Sequence, residues 1–178
     1  MRIISGRYKG KTIVAPSNLP VRPTTDFAKT GLFNILNNEL DFEKCRLLDL
    51  FAGTGNISYE FFSRGCNDVT CVDADMHCTR FIMHTLEKLG CYNSDVIKSD
   101  ALKYLQMCRD KYDVIFADPP YDYKLYEKIP HHVFENELLN ANGLLILEHA
   151  SDRKIEFENH FRETRKYGHV AFTFYQAE

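Results

Sequence analysis

The 178-residue sequence is 44% hydrophobic and 26% charged, with a formal net charge of -3, values of an ordinary globular chain long enough to bury a sheet on both faces. No apolar run approaches the roughly 20 residues that span a bilayer, and Met1-Arg2-Ile3-Ile4-Ser5-Gly6-Arg7 lacks the apolar core of a signal peptide, so a cytoplasmic location is expected. The charge is uneven: residues 1–30 hold Arg2, Arg7, Lys9, Lys11, Arg22 and Lys29 against Asp26 alone, a local +5, while the other 148 residues carry 16 basic and 24 acidic side chains, a local -8. A basic arm on an acidic body suits a phosphate-facing surface, although a solvated charged hairpin reads the same way.

In chain order, residues 2–15 read as a short hairpin turning through Gly6 to Gly10. Pro16 and Pro20 make the next stretch an irregular connector. Thr24 or Thr25 caps a helix running to about Asn38, with Leu32, Phe33, Ile35 and Leu36 on its apolar face. Strands and helices then alternate: a strand over 47–51, a helix over 57–64 closed by Gly65, a strand over 69–73, and a helix over 76–89 closed by Gly90. A strand over 95–98, a helix over 101–109, a strand over 112–117, a helix near 129–139 and a strand over 143–148 follow. Residues 163–167 and 170–175 form a closing two-strand hairpin. Near-continuous apolar strands separated by helices predict an α/β fold, a Rossmann-like mixed sheet of seven strands with helices on both faces, preceded by a small N-terminal extension. The division expected is an extension over residues 1–40 and a main domain over 41–178.

Ligands of such sheets bind beyond the carboxyl ends of the strands, where the strand order reverses, so the residues that follow each strand carry the information. Asp49-Leu50-Phe51-Ala52-Gly53-Thr54-Gly55 ends the first strand, and Gly53 and Gly55 allow a sharp turn and close approach of a ligand. The dinucleotide fingerprint wants a third glycine where Ser58 stands, and a carboxylate at Asp49 suits a cofactor with a cationic amino-acid end, whereas it repels a pyrophosphate. Asp73, followed by Ala74, ends the second strand and can take two hydrogen bonds from a ribose diol. Asp100 follows the third strand ahead of Ala101, where it serves as a helix N-cap, an adenine contact, or both.

Asp118-Pro119-Pro120-Tyr121 follows the fourth strand. Two prolines fix the backbone and remove two N–H donors, leaving the Asp118 carboxylate and the Pro119 carbonyl as rigid acceptors. Such a pair can hold both hydrogens of an exocyclic amine and aim its lone pair at an electrophile. A carboxylate also stabilises the positive charge that the nitrogen gains, and Tyr121 offers a ring for stacking the base. Cys45, Cys66, Cys71, Cys78, Cys91 and Cys108 show no Cys-x-x-Cys pair and no accompanying His-x-x-x-His spacing. They read as small buried apolar residues, and no metal is expected.

With the loop from Asp49 to Gly55 and the Asp-Pro-Pro-Tyr motif, the chain resembles class I methyltransferases that act on exocyclic amines. Arg2-Ile3-Ile4-Ser5-Gly6-Arg7-Tyr8-Lys9-Gly10, Arg22-Pro23-Thr24-Thr25-Asp26 and Leu32-Phe33-Asn34-Ile35-Leu36 resemble more specifically the RsmD family, which methylates guanine N2 in bacterial small-subunit (16S) ribosomal RNA. The resemblance covers nearly the whole chain. It implies S-adenosylmethionine as cofactor, S-adenosylhomocysteine as product and no metal. Asp49, Phe51, Gly53 and Gly55 would lie along the methionine part, Asp73 and Ala74 at the ribose, Asp100 and Ala101 at the adenine, and Asp118 to Tyr121 at the target amine. Arg7, Lys9, Arg22, Thr24 and Thr25 would meet RNA. The partner implied is ribosomal RNA, bare or in the assembled small subunit, and the chain is expected to be a monomer. The sequence departs from the family pattern at Phe27 and Lys29, at Thr54, and at Gly31, which should cost its helix roughly 1 kcal/mol against alanine. A DNA adenine-N6 methyltransferase, a non-catalytic cofactor-binding protein and a nicotinamide oxidoreductase are the other readings; the short 121–143 insert, the intact reactive motif and Ser58 weigh against them in turn.

Overall fold

In the computed structural model, residues 1–17, 19 and 24–178 are described. Among them, seven strands form one sheet: β1 (Arg46–Leu50), β2 (Asp68–Asp73), β3 (Ser94–Lys98), β4 (Tyr112–Ala117), β5 (Leu139–Ala150), β6 (Phe161–Tyr167) and β7 (Val170–Gln176), in the order β3-β2-β1-β4-β5-β7-β6. The first five pair in parallel, and β7 runs antiparallel between β5 and β6. The mixed seven-stranded sheet expected from the alternating pattern is therefore present. Its order reverses between β1 and β4, which opens a crevice at the carboxyl ends of those two strands.

Alternate residues of each strand point to opposite faces, and two cores result. Leu47, Cys71, Phe116, Ile146 and Phe172 pack under α1 (Asp26–Glu39), α2 (Asn56–Ser63) and α3 (Met76–Lys88) through Leu32, Phe33, Phe61 and Ile82. Leu48, Val72, Ile115, Ala117 and Leu147 pack under α4 (Ala101–Met107) and α5 (Lys128–Glu135) through Leu105, Ile129 and Val133. Ile3 and Ile13 of the N-terminal stretch join the first core. All six cysteines are free and buried, and no described helix is long and apolar enough to cross a membrane.

Two expected elements differ. The helix placed over 129–139 ends at Glu135, and Leu139 already begins β5. Glu137 and Asn142 adopt left-handed backbone conformations, and the β4–β5 register shifts between Tyr112 and Val114, so an irregular stretch joins the ladder before the apolar run at Leu144. The N-terminal hairpin is a single antiparallel bridge, Arg2 to Thr12, flanked by backbone bonds from Ile3 to Lys11 and from Ile13 to Met1. Gly31 sits in α1 because the Tyr167 ring lies against it: a Cβ there would stand 2.1 Å from a ring carbon.

Candidate active site

The crevice is built from the turns that leave β1, β2 and β4. After β1 the chain enters a left-handed conformation at Phe51, φ 58°, and again at Gly53 and Gly55. A bulky residue held there costs of order 1–3 kcal/mol and persists only where the surroundings enforce it. Phe51 is fixed by an edge-on contact with Tyr123 at 5.2 Å. Gly55 has φ 77°, and a Cβ on it would stand 2.7 Å from the Tyr59 hydroxyl, so no larger residue fits there. The turn delivers the chain into α2, whose N-cap is Gly55.

Asp49 lies beneath this turn, 2% exposed, with Ser58 Oγ donating to it at 2.6 Å. Burial pushes its pKa up to about 7 against the Ser58 hydrogen bond, and the nearby Asp73 adds to the rise. Asp73 ends β2 and accepts from the backbone N–H of Gly53 at 2.8 Å and of Asp75 at 2.8 Å. It thereby ties the glycine turn to the second strand, and lone pairs remain on each oxygen for a ligand. Ala74 beside it is exposed. Asp100 caps α4 by accepting from Lys103 N at 2.9 Å, the structural half of its expected double role; Ala101 is buried. The Tyr123 hydroxyl is buried with no hydrogen-bond partner among the described residues.

Asp118 leaves β4 at the switch point, its N–H directed at the Leu50 carbonyl at 3.4 Å. Among the described residues no donor reaches its carboxylate, and burial, then Glu148 and Asp49, raise its pKa well above the usual carboxylate range. The second acceptor of the expected pair is not free. Tyr126 is buried and its hydroxyl needs an acceptor; it donates to the Pro119 carbonyl at 3.0 Å and lies 3.4 Å from that of Pro120. One lone pair of Pro119 remains, so Asp118 is the principal acceptor. Tyr121 is 49% exposed beyond the two prolines, and its carbonyl accepts from Arg153 at 2.6 Å.

The sequence marks Glu148 only as the end of the fifth strand, although a charged residue closing the apolar run Leu144–Leu147 is a signal in itself. It is 3% exposed and accepts the Thr24 hydroxyl at 2.8 Å. Burial pushes it up to about 7 against that hydrogen bond, with a further contribution from Asp49.

The basic arm divides. Arg7 and Lys9 are exposed at the end of α2 remote from the glycine turn: Arg7 N donates to Ser63 O at 2.7 Å and its guanidinium lies over the Phe62 ring. An eight-residue helix, about 12 Å long, separates them from the turn. Lys29, counted with the basic surface, is fully buried against Glu60 at 3.0 Å, because a helix position facing α2 cannot also face solvent. Thr24 is buried with its hydroxyl committed to Glu148, whereas Thr25 is exposed and its Oγ1 accepts the Ala28 N–H as the cap of α1, which leaves its hydroxyl hydrogen at the surface. Arg22 lies outside the described residues. Among the described residues no three His, Cys, Asp or Glu side chains cluster as metal ligands.

The family model described as Conserved hypothetical protein 95 matches residues 1–176. The chain belongs to this family, RsmD. Among relatives of this RsmD-family chain, the ribosomal RNA small subunit methyltransferase D of Buchnera aphidicola (subsp. Baizongia pistaciae) is 32% identical over 148 residues, 83% of this chain and 75% of that protein. The protein of the same name from Escherichia coli K12 is 28% identical over 181 residues, covering 100% of this chain and 90% of its own. The solved structure of yhhF from Escherichia coli superimposes with a TM-score of 0.86 at 28% identity, over 100% of this RsmD-family chain and 98% of that one.

Proposed function

We propose that the chain transfers a methyl group from S-adenosylmethionine to the exocyclic N2 of a guanine in small-subunit ribosomal RNA. The observation that carries this reading is Asp118: a carboxylate with no donor among the described residues, fixed by two prolines at the switch point of the sheet beside a strained glycine turn. The names of the relatives support the methyltransferase class and the ribosomal substrate. The stretch between β4 and β5 holds only the eight-residue α5, which leaves little surface for a DNA-recognition domain.

The residues present fit the cofactor. Asp49 is a buried carboxylate with one neutral donor and suits an ammonium; Asp73 stands at the strand end where a ribose diol is held; the unpartnered Tyr123 hydroxyl, near Asp100, offers a hydrogen bond on the adenine side. Bound there, S-adenosylmethionine supplies a methyl group activated by its sulfonium. Asp118 accepts an N–H of the target amine and turns the nitrogen lone pair toward the glycine turn. As the nitrogen bonds the methyl carbon and the carbon–sulfur bond breaks, leaving S-adenosylhomocysteine, the nitrogen gains positive charge. That charge favours the ionised form of Asp118, whose facing carboxylate stabilises it most strongly where water is excluded. Asp118 is also the first acceptor for the proton that the methylated nitrogen releases. Tyr121 at the mouth stacks on the base. Residues 1–40 act as the RNA-contacting extension of the 41–178 catalytic domain, with exposed Arg7 and Lys9, and Arg22, meeting phosphates.

Mass mapping of modified nucleosides in ribosomal RNA from cells lacking the protein tests the reading. A single N2-methylguanosine should disappear from small-subunit RNA and return when the purified chain and S-adenosylmethionine are added to the undermethylated subunit. An unchanged modification profile overturns it.

A further inference from the structure

Glu148 stands beside Asp118 at the head of the sheet. The parallel β4–β5 register pairs Ala117 with Leu147, so the two acids follow at one level on adjacent chains, about 4.8 Å apart at the backbone. By the period of two, both leave on the face that carries Phe116 and Ile146, the face covered by α1 and α2. A carboxylate offers about four lone-pair sites. Among the described residues, Glu148 receives one neutral donor, Thr24, and Asp118 receives none. Lys29, the buried lysine of this face, is already engaged by Glu60, Asn56 Oδ1 and the Arg2 carbonyl. Of these two neighbouring carboxylates Glu148 is buried and Asp118 is partly exposed. Both are short of protein donors, a costly state once a ligand covers them from water unless that ligand supplies the donors.

The Watson–Crick edge of guanine supplies two donors side by side, the 2-amino group and the ring N1–H. Adenine carries its amino group beside a bare ring nitrogen, which would face a carboxylate lone pair to lone pair. We infer that Glu148 is a base-reading residue: while Asp118 holds the amino group, Glu148 takes the ring N1–H and so restricts the site to guanine. The inference rests on the guanine-N2 reading above. Thr24 holds one Glu148 oxygen, and its carbonyl accepts the Asn56 amide at 3.1 Å, so the N-terminal segment orients the reading carboxylate.

The test replaces the mapped target guanosine, by splinted ligation, with 2-aminopurine riboside, which keeps the 2-amino group and has no hydrogen on N1. Wild-type protein should use the guanine RNA roughly ten- to a hundredfold better in kcat/KM, the range for a hydrogen bond to a charged group. Glu148→Gln keeps the volume and an oxygen for Thr24 but presents an amide N–H to the bare N1. Its preference should collapse toward unity or invert. The preference ratio within one variant does not depend on how much of the preparation is folded, so a partial loss of stability leaves the readout intact. If Glu148→Gln slows both RNAs by the same factor, the residue only supports the fold and the inference is wrong. If the wild-type chain modifies an adenine and no guanine, the proposed function fails, and this inference with it.

Discussion

The Lys29 ammonium lies 3.0 Å from the Glu60 carboxylate, with neither side chain exposed to solvent. Lys29 also donates to the Arg2 carbonyl and to Asn56, and Glu60 accepts from Ile4 N and Arg64. One ion pair therefore clips the N-terminal stretch and α1 to α2, the helix that starts at the glycine turn. Removing one partner of such a pair strands a buried charge. Lys29→Met should cost about 3 kcal/mol or somewhat more in urea unfolding; a loss below about 1 kcal/mol would show that Arg64 alone satisfies Glu60.

Gly31 reverses the sign that helix propensity gives. Alanine should gain α1 up to about 1 kcal/mol, yet its Cβ would meet the Tyr167 ring at 2.1 Å, and that ring is held by Phe27 and Phe172. Overpacking of this kind costs about 1–3 kcal/mol. Gly31→Ala should lower the melting temperature in the wild-type background and raise it in a Tyr167→Ala background. A rise in both backgrounds would mean that the ring moves aside freely.

Asp118 has its acceptor function to lose and little structure. Asp118→Ala should lower kcat roughly a hundred- to a thousandfold, as loss of a preorganised charge-stabilising group does, with calorimetric affinity for S-adenosylmethionine unchanged. Turnover at the wild-type rate would remove Asp118 from the reaction.

Asp49 sets a pH dependence for cofactor binding. Its carboxyl, pushed up to about 7 by burial, is protonated in the free protein below that pH, whereas an ammonium ligand favours the ionised form. Affinity should rise with pH to about 7 and binding below it should release a proton; above it, affinity should fall as the α-amino group, with a pKa of about 7.7–8, loses its charge. Calorimetry in two buffers of different ionisation enthalpy reads both effects. Asp49→Asn should abolish the rising limb, and a limb that survives assigns it to another group. For the unliganded protein the linkage has the opposite sense. The folded value lies above the ordinary 3.8, so this group's stabilisation is complete below that value and is lost as pH rises toward about 7.

Arg7 and Lys9 are exposed about a helix length from the glycine turn, so their contribution should be to RNA affinity and not to chemistry. Arg7→Ala with Lys9→Ala should weaken binding to small-subunit RNA and lower the slope of log affinity against log salt by about 1–2, with kcat at saturating RNA unchanged. An unaltered slope would place the RNA elsewhere.

The strands, the helices and most of the crevice were legible in the chain itself. Apolar runs bounded by turn residues report a buried parallel sheet, and Asp49, Asp73, Asp100 and Asp118 stand at or just beyond its strand ends, the positions that the sequence marks as candidates, because periodicity and turn chemistry act over a few neighbouring residues. Contacts between distant segments carry no such local trace. That Thr24 serves Glu148 across 124 residues, that Lys29 is an interior cation and not a surface one, that Tyr126 occupies the Pro119 carbonyl, and that Gly31 makes room for a tyrosine were all decided by packing. Each depends on which surfaces meet once the sheet has closed, and on the need to give every buried polar group a partner.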